Sequence, residues 1–99
     1  MSQEERWLPV PGYAAFYEVS DLGRVYSLAR AATAGGLLVP QLNSRGYRVV
    51  TLSKYGRTRT ILVARLVLAA FDSPARGRRA RHGPKGKGDD SLANLCWFP

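Results

Sequence analysis

The chain has a single cysteine, a single histidine and no long apolar run, and each shortage removes a class of protein. Cys96 alone cannot form an internal disulfide, and without a CxxC pair there is no structural zinc site of familiar spacing. Beside Trp97 this thiol is expected to pack as a small core hydrophobe. Nothing approaches the roughly 20 apolar residues of a membrane-spanning helix. Residues 1–6 are polar and acidic with no apolar segment behind them, unlike a signal peptide. These features predict a cytoplasmic protein with no membrane partner. At 99 residues the chain makes one domain, or two very small modules sharing a core.

Acidic residues are scarce in the second half. Residues 54–99 hold ten Arg or Lys against three Asp or Glu, whereas residues 1–53 hold five against four. A basic half on a small domain favours a polyanion through phosphate neutralisation and counterion release. Arginine outnumbers lysine, which suits bidentate phosphate contacts. Nucleic acid is favoured over an anionic membrane, because no amphipathic basic helix accompanies the charge.

Local patterns predict a sheet-rich chain with one helix. Residues 16–19 and 24–28 read as a hairpin about the turn Ser20, Asp21, Leu22, Gly23. Residues 31–36 are a loose connector, and 37–42 a short edge segment interrupted by Pro40. Residues 47–53 alternate, turn at Lys54, Tyr55 and Gly56, and return over 58–63. From Val63 the period changes: Leu66, Val67, Ala70 and Phe71 recur at helical spacing, predicting a helix over 64–71. Residues 83–88 cannot be regular structure, and 95–98 form a last strand.

Two stretches carry a resemblance. TrpLeuProValProGlyTyr…TyrGluValSer…LeuGlyArgValTyrSerLeu, at 7–28, resembles the NUMOD-type amino-terminal module of phage- and intron-encoded homing endonucleases of the HNH class. GlyTyr…ValThrLeuSer…Gly at 46–56, LeuValAlaArgLeuValLeuAlaAlaPhe at 62–71 and ArgHisGlyPro…AspAsp…AsnLeuCysTrp at 81–97 resemble the nuclease part. On this basis residues 1–30 form the NUMOD-like module and 37–99 the HNH-like region, with a ββα-metal hairpin at 79–99. The implied fold is α+β: a small β-rich module, a β-hairpin with a short helix, and an incomplete ββα-metal unit. A phage-encoded protein of this kind works in the host cytoplasm.

Phosphodiester hydrolysis needs a base to activate water and a cation to stabilise charge on the phosphate. A neutral imidazole suits the first task near neutral pH, provided it is aimed. The resemblance makes His82 the general base and Asn94, twelve residues on, the brace of loop and ring. Lys54, Arg57, Arg59, Arg65, Arg78, Arg79, Arg81, Lys85 and Lys87 are the candidate phosphate contacts. Asp89 and Asp90 either cap the loop or approach a metal, with capping preferred. Trp7, Tyr13, Phe16 and Tyr17 are expected in the core; only Tyr47 and Tyr55 loosely suit base stacking.

The sequence departs from the family in three places. Ala64 stands where histidine often opens the helix, and Arg81 where an acidic metal ligand often precedes the catalytic histidine. Phe98 and Pro99 stand where the family runs into a metal-binding helix. The metal ligands are therefore unknown, although Mg²⁺ or Mn²⁺ is the implied cofactor. Leu95, Cys96 and Trp97 are expected to be under-packed, favouring a homo-oligomer or a protein partner. Three functions remain open: an HNH-type DNA endonuclease; a non-catalytic DNA-binding protein or accessory subunit whose site is completed in trans; and, with no motif behind it, an RNA-binding protein.

Overall fold

In the computed structural model, residues 4–30 and 34–98 are described. Trp7–Pro9 (β1), Tyr17–Ser20 (β2), Val25–Ser27 (β3) and Gly36–Leu37 (β4) make an antiparallel sheet in that order. Gln41–Leu42 (β5), Arg48–Lys54 (β6) and Arg57–Leu62 (β7) make a second sheet. The helix Val63–Phe71 (α1) follows, and Arg79–His82 (β8) pairs with Leu95–Phe98 (β9) as a third, two-stranded unit. The class is α+β.

The expected first hairpin is present as β2 and β3, but it is flanked by two strands that the sequence did not announce. β1 ends on Pro9 and lies at the sheet edge, where a missing N–H is tolerated. β4 pairs Gly36 with Ser27, so the end of the presumed connector is part of the ladder; residues 31–33 lie outside the described residues. The segment 37–42 is not one edge piece. Pro40 cannot donate to a ladder, and the chain leaves the first sheet at Leu37 and joins the second at Gln41.

Alternation along β6 turns Val50 and Leu52 inward, 4% and 0% exposed, with Thr51 outward between them. β6 returns as β7 through Tyr55 and Gly56, both at positive φ (53° and 76°), which is the backbone of a type I′ turn. Helix α1 has no side-chain cap and is too short to be stable alone. Its stability comes from burying Val63, Ala64, Leu66, Val67 and Leu68. Its end is closed where the N–H groups of Asp72 and Ser73 donate to the Leu68 carbonyl at 2.9 and 3.1 Å.

One core cluster joins the units: Val10, Tyr17, Val19 and Val25 meet Val50 and Leu52 of β6 and Val63, Leu66 and Val67 of α1. The Tyr17 hydroxyl accepts from the Ser53 N–H at 2.9 Å and donates to the Ser53 carbonyl at 3.4 Å, stitching β2 to β6. Tyr17 is core, as expected, and Tyr13 and Phe16 pack against the cluster.

The last hairpin corrects two expectations. Period two along β9 places Leu95 and Trp97 inward and Cys96 and Phe98 outward, so Cys96 is an exposed thiol opposite Arg81. Nor are Leu95 and Trp97 under-packed. Leu95 packs on the core cluster. Trp97 is 9% exposed, donates its indole N–H to the Ser73 carbonyl at 2.9 Å, and is covered by the guanidinium groups of Arg65 and Arg78, each 5.6 Å from the ring.

Candidate functional site

His82 closes β8 on the inward-facing register, where the strand gives way to the glycine-rich loop 83–88. Its Nε2 lies 2.6 Å from Asp90 Oδ1. An ionised carboxylate only accepts, so in the neutral ring Nε2 carries the proton and Nδ1 the lone pair. Nδ1 has no hydrogen-bond partner among the described residues, in a side chain that is 8% exposed. The Tyr47 ring stacks on the imidazole with centroids 5.5 Å apart and planes 28° apart. The ring is thus fixed by a polar bond at one nitrogen and an aromatic face beside it.

Asp90 is 4% exposed, and the amino-terminal turn packs directly on it. Gly23 sits at φ +89°, and a Cβ there would meet the carbonyl oxygen, carbonyl carbon and Cβ of Asp90 at 2.8–2.9 Å. Two residues further on, the Leu92 N–H donates to the Asp21 carbonyl at 2.7 Å. The turn that closes the first hairpin therefore holds the carboxylate that holds the histidine.

Asn94, 5% exposed, braces the loop from inside. Its Oδ1 accepts from the Lys85 N–H at 3.1 Å, and its Nδ2 donates to the carbonyls of Gly86 and Asp89 at 3.1 and 2.9 Å. Its own carbonyl accepts from the Gly83 N–H at 2.7 Å. None of these bonds reaches the imidazole, so the ring-orienting share expected of Asn94 falls to Asp90. Of the two aspartates only Asp89 takes the capping role expected; Asp90 has a role outside both expectations, holding the imidazole. Asp89 is a cap: the Ser91 hydroxyl at 2.5 Å, and then the Ser91 N–H at 3.0 Å, hold its carboxyl below the usual carboxylate range.

An open cleft of about 390 Å³ exposes this arrangement, lined by Tyr47, Arg79, Arg81, His82, Gly83 and Lys87 among others. Arg79 and Arg81 point outward from β8, and the Arg81 guanidinium lies 5.0 Å from the Phe98 ring. The Lys87 ammonium sits 4.7 Å from the Tyr47 ring and donates to the Arg45 carbonyl at 2.8 Å. Three cations thus rim the histidine.

Residues 5–53 match the NUMOD4 motif. Over 92 residues the chain is 33% identical to the DNA endonuclease I-HmuI of Bacillus phage SP01, covering 92% of this chain and 51% of that protein. The solved structure of the HNH homing endonuclease I-HmuI, described for its DNA binding and cleavage, superposes with a TM-score of 0.82 at 31% identity. That superposition covers 94% of this chain and 52% of the other. The chain is a relative of the HNH homing endonucleases with an amino-terminal NUMOD motif. It spans about half the length of the relative it matches.

The remaining basic residues separate into two groups. Lys54, Arg57 and Arg59 gather at the β6–β7 turn, around a second open cleft of about 560 Å³ shared with Tyr13 and Tyr55. Arg65 and Arg78 both make backbone hydrogen bonds, and Arg65 also lines a smaller cleft of about 210 Å³ with Tyr47, Arg79 and His82. The Arg65 guanidinium donates to the Arg78 carbonyl at 3.2 Å, and Arg78 donates to the Ser73 hydroxyl and to the carbonyls of Pro74 and Ala75. Lys85 is exposed on the loop.

The donor set does not make a divalent-cation site by itself. Among the described residues no group of three or more His, Cys, Asp or Glu is placed to hold a metal. Hard cations take several oxygens, and the carboxylates nearest His82 are committed, Asp89 to Ser91 and Asp90 to the imidazole. Asp90 Oδ2, the one buried side-chain oxygen without a partner among the described residues, is a single donor. Arg81, next to His82 in the sequence, is itself a cation.

Proposed function

We propose that this chain carries the DNA-engaging surface and the general base of an HNH-type endonuclease site. His82 Nδ1 takes the proton from a water whose oxygen forms the new bond to phosphorus. The bond from phosphorus to the sugar oxygen breaks, and the leaving oxygen takes its proton from solvent. Asp90 holds the ring, Tyr47 stacks on it and Asn94 braces the loop. Arg79, Arg81, Lys85 and Lys87 meet phosphates beside the base, and Lys54, Arg57 and Arg59 meet them at the β6–β7 turn. Arg65, which lines a smaller cleft with His82, joins them, whereas Arg78 is outside the set because its guanidinium is committed to Ser73, Pro74 and Ala75. Mg²⁺ or Mn²⁺ is the cofactor proposed with this reading. The observation that carries this reading is the imidazole fixed at Nε2, with Nδ1 unpartnered at the wall of a cleft rimmed by three cations.

A second reading, DNA binding without cleavage or with a protein partner completing the site, is favoured by one observation. The residues around His82 supply cations where a metal site needs oxygens. Supercoiled plasmid separates the two. Nicking that appears with Mg²⁺ or Mn²⁺ and vanishes with chelator is the result expected of the nuclease. Background nicking, together with duplex affinity that falls steeply as salt rises, leaves the binding protein. Affinity insensitive to salt would overturn both.

A further inference from the structure

Tyr55 breaks a local rule. The two-residue turn between Lys54 and Arg57 needs positive φ at both central positions, for which Asn-Gly or Gly-Gly is the low-strain choice. This chain has Tyr55 at φ 53°, where a bulky side chain is an outlier. The ring is not paid for by burial, being 84% exposed at the tip of the hairpin. It is nevertheless positioned: its centroid lies 5.6 Å from that of Phe16, with planes at 89°, and the Lys54 ammonium is 5.9 Å from it. Lys54 is itself tied to the Gly12 carbonyl and lies 4.8 Å from the Tyr13 ring. An exposed aromatic, held at a strained position and flanked by Arg57 and Arg59 in one open cleft, has the chemistry of a stacking platform with phosphate contacts on either side.

We infer that Tyr55 stacks on a nucleobase of the bound DNA while Arg57 and Arg59 hold the neighbouring phosphates. This rests on the DNA-binding reading above and adds to it an aromatic contact that charge alone does not give. Stacking needs an unstacked base, so a mispaired site favours it, since less energy is spent in opening the pair.

The test is duplex affinity of the full chain against salt, for wild type, Tyr55→Asn, Tyr55→Phe and Arg57→Gln. Asparagine tolerates the turn conformation, so the fold is expected to persist, checked by thermal melting. Tyr55→Asn is expected to weaken binding by about tenfold with the salt slope unchanged, because no phosphate contact is lost. Tyr55→Phe retains wild-type affinity. Arg57→Gln lowers the slope by about one unit. A duplex with one mispaired base should bind wild type more tightly than the matched duplex, and Tyr55→Asn should lose that preference. Wild-type affinity in Tyr55→Asn would overturn the inference while leaving the DNA-binding reading intact if Arg57→Gln still acts. A tyrosine effect that appears only as a change of salt slope would also overturn it. If neither substitution acts, the basic turn is not part of the DNA surface. Stronger dependence on Tyr55 with RNA than with DNA would move the stacking partner to RNA.

Discussion

Replacing His82 with alanine is expected to reduce metal-dependent plasmid nicking by about 10²- to 10⁴-fold, the usual contribution of a positioned general base. DNA affinity and its salt slope should stay near wild type, because a neutral imidazole neutralises no phosphate. Alanine has a side effect that follows from the geometry. It strands the Asp90 carboxylate, which is 4% exposed and bonded to the ring through Oδ1. A buried charge without its partner destabilises the fold. His82→Gln separates the two consequences, since its amide N–H can still donate to Asp90 but the side chain is not a base. Both variants are expected to be inactive, with the glutamine protein melting closer to wild type. Nicking by a folded glutamine variant at the wild-type rate would remove His82 from the chemistry.

Gly23→Ala is expected to cost about 3 kcal/mol, read as a fall in Tm of roughly 12–24 °C for a chain of this size. Part of the cost, about 1–2 kcal/mol, is the left-handed backbone at φ +89°. The rest is a Cβ within 2.9 Å of Asp90 backbone atoms that cannot rotate away. Gly12 supplies the control. Its φ is +81°, but a Cβ there meets nothing within 4 Å, so Gly12→Ala should cost the backbone share alone. The difference between the two melting shifts measures how firmly the amino-terminal turn presses on the site. Equal shifts would mean that the turn does not support Asp90.

The elements legible in the sequence are those whose periodicity outlasts local noise. β6, β7 and α1 have six to nine residues each and were placed within two residues of their observed ends. β1 and β4 have three and two residues and are built on proline and glycine, so neither period nor propensity marks them. Cys96 was judged by its neighbour; counting by two from Trp97 would have put it outside. In the site, His82 and Asn94 are legible through the family motif they resemble. Asp90 did not emerge as the ring's partner, because a glycine-rich loop has no period and the contact that fixes it comes from Gly23. Arg65 and Arg78 looked like surface charge, yet both lie over Trp97, where the flat guanidinium covers an aromatic face. Charge counting cannot distinguish that use from a phosphate contact.

The role proposed for His82 depends on one ring state, and this chain has only one histidine to observe. The most direct measurement is a long-range ¹H–¹⁵N correlation spectrum of the His82 imidazole in the uniformly labelled protein at mildly alkaline pH. A single tautomer, protonated at Nε2 with Nδ1 bare, is the result expected from the Asp90 bond. A rapidly averaged mixture of tautomers, or a proton on Nδ1, would contradict it.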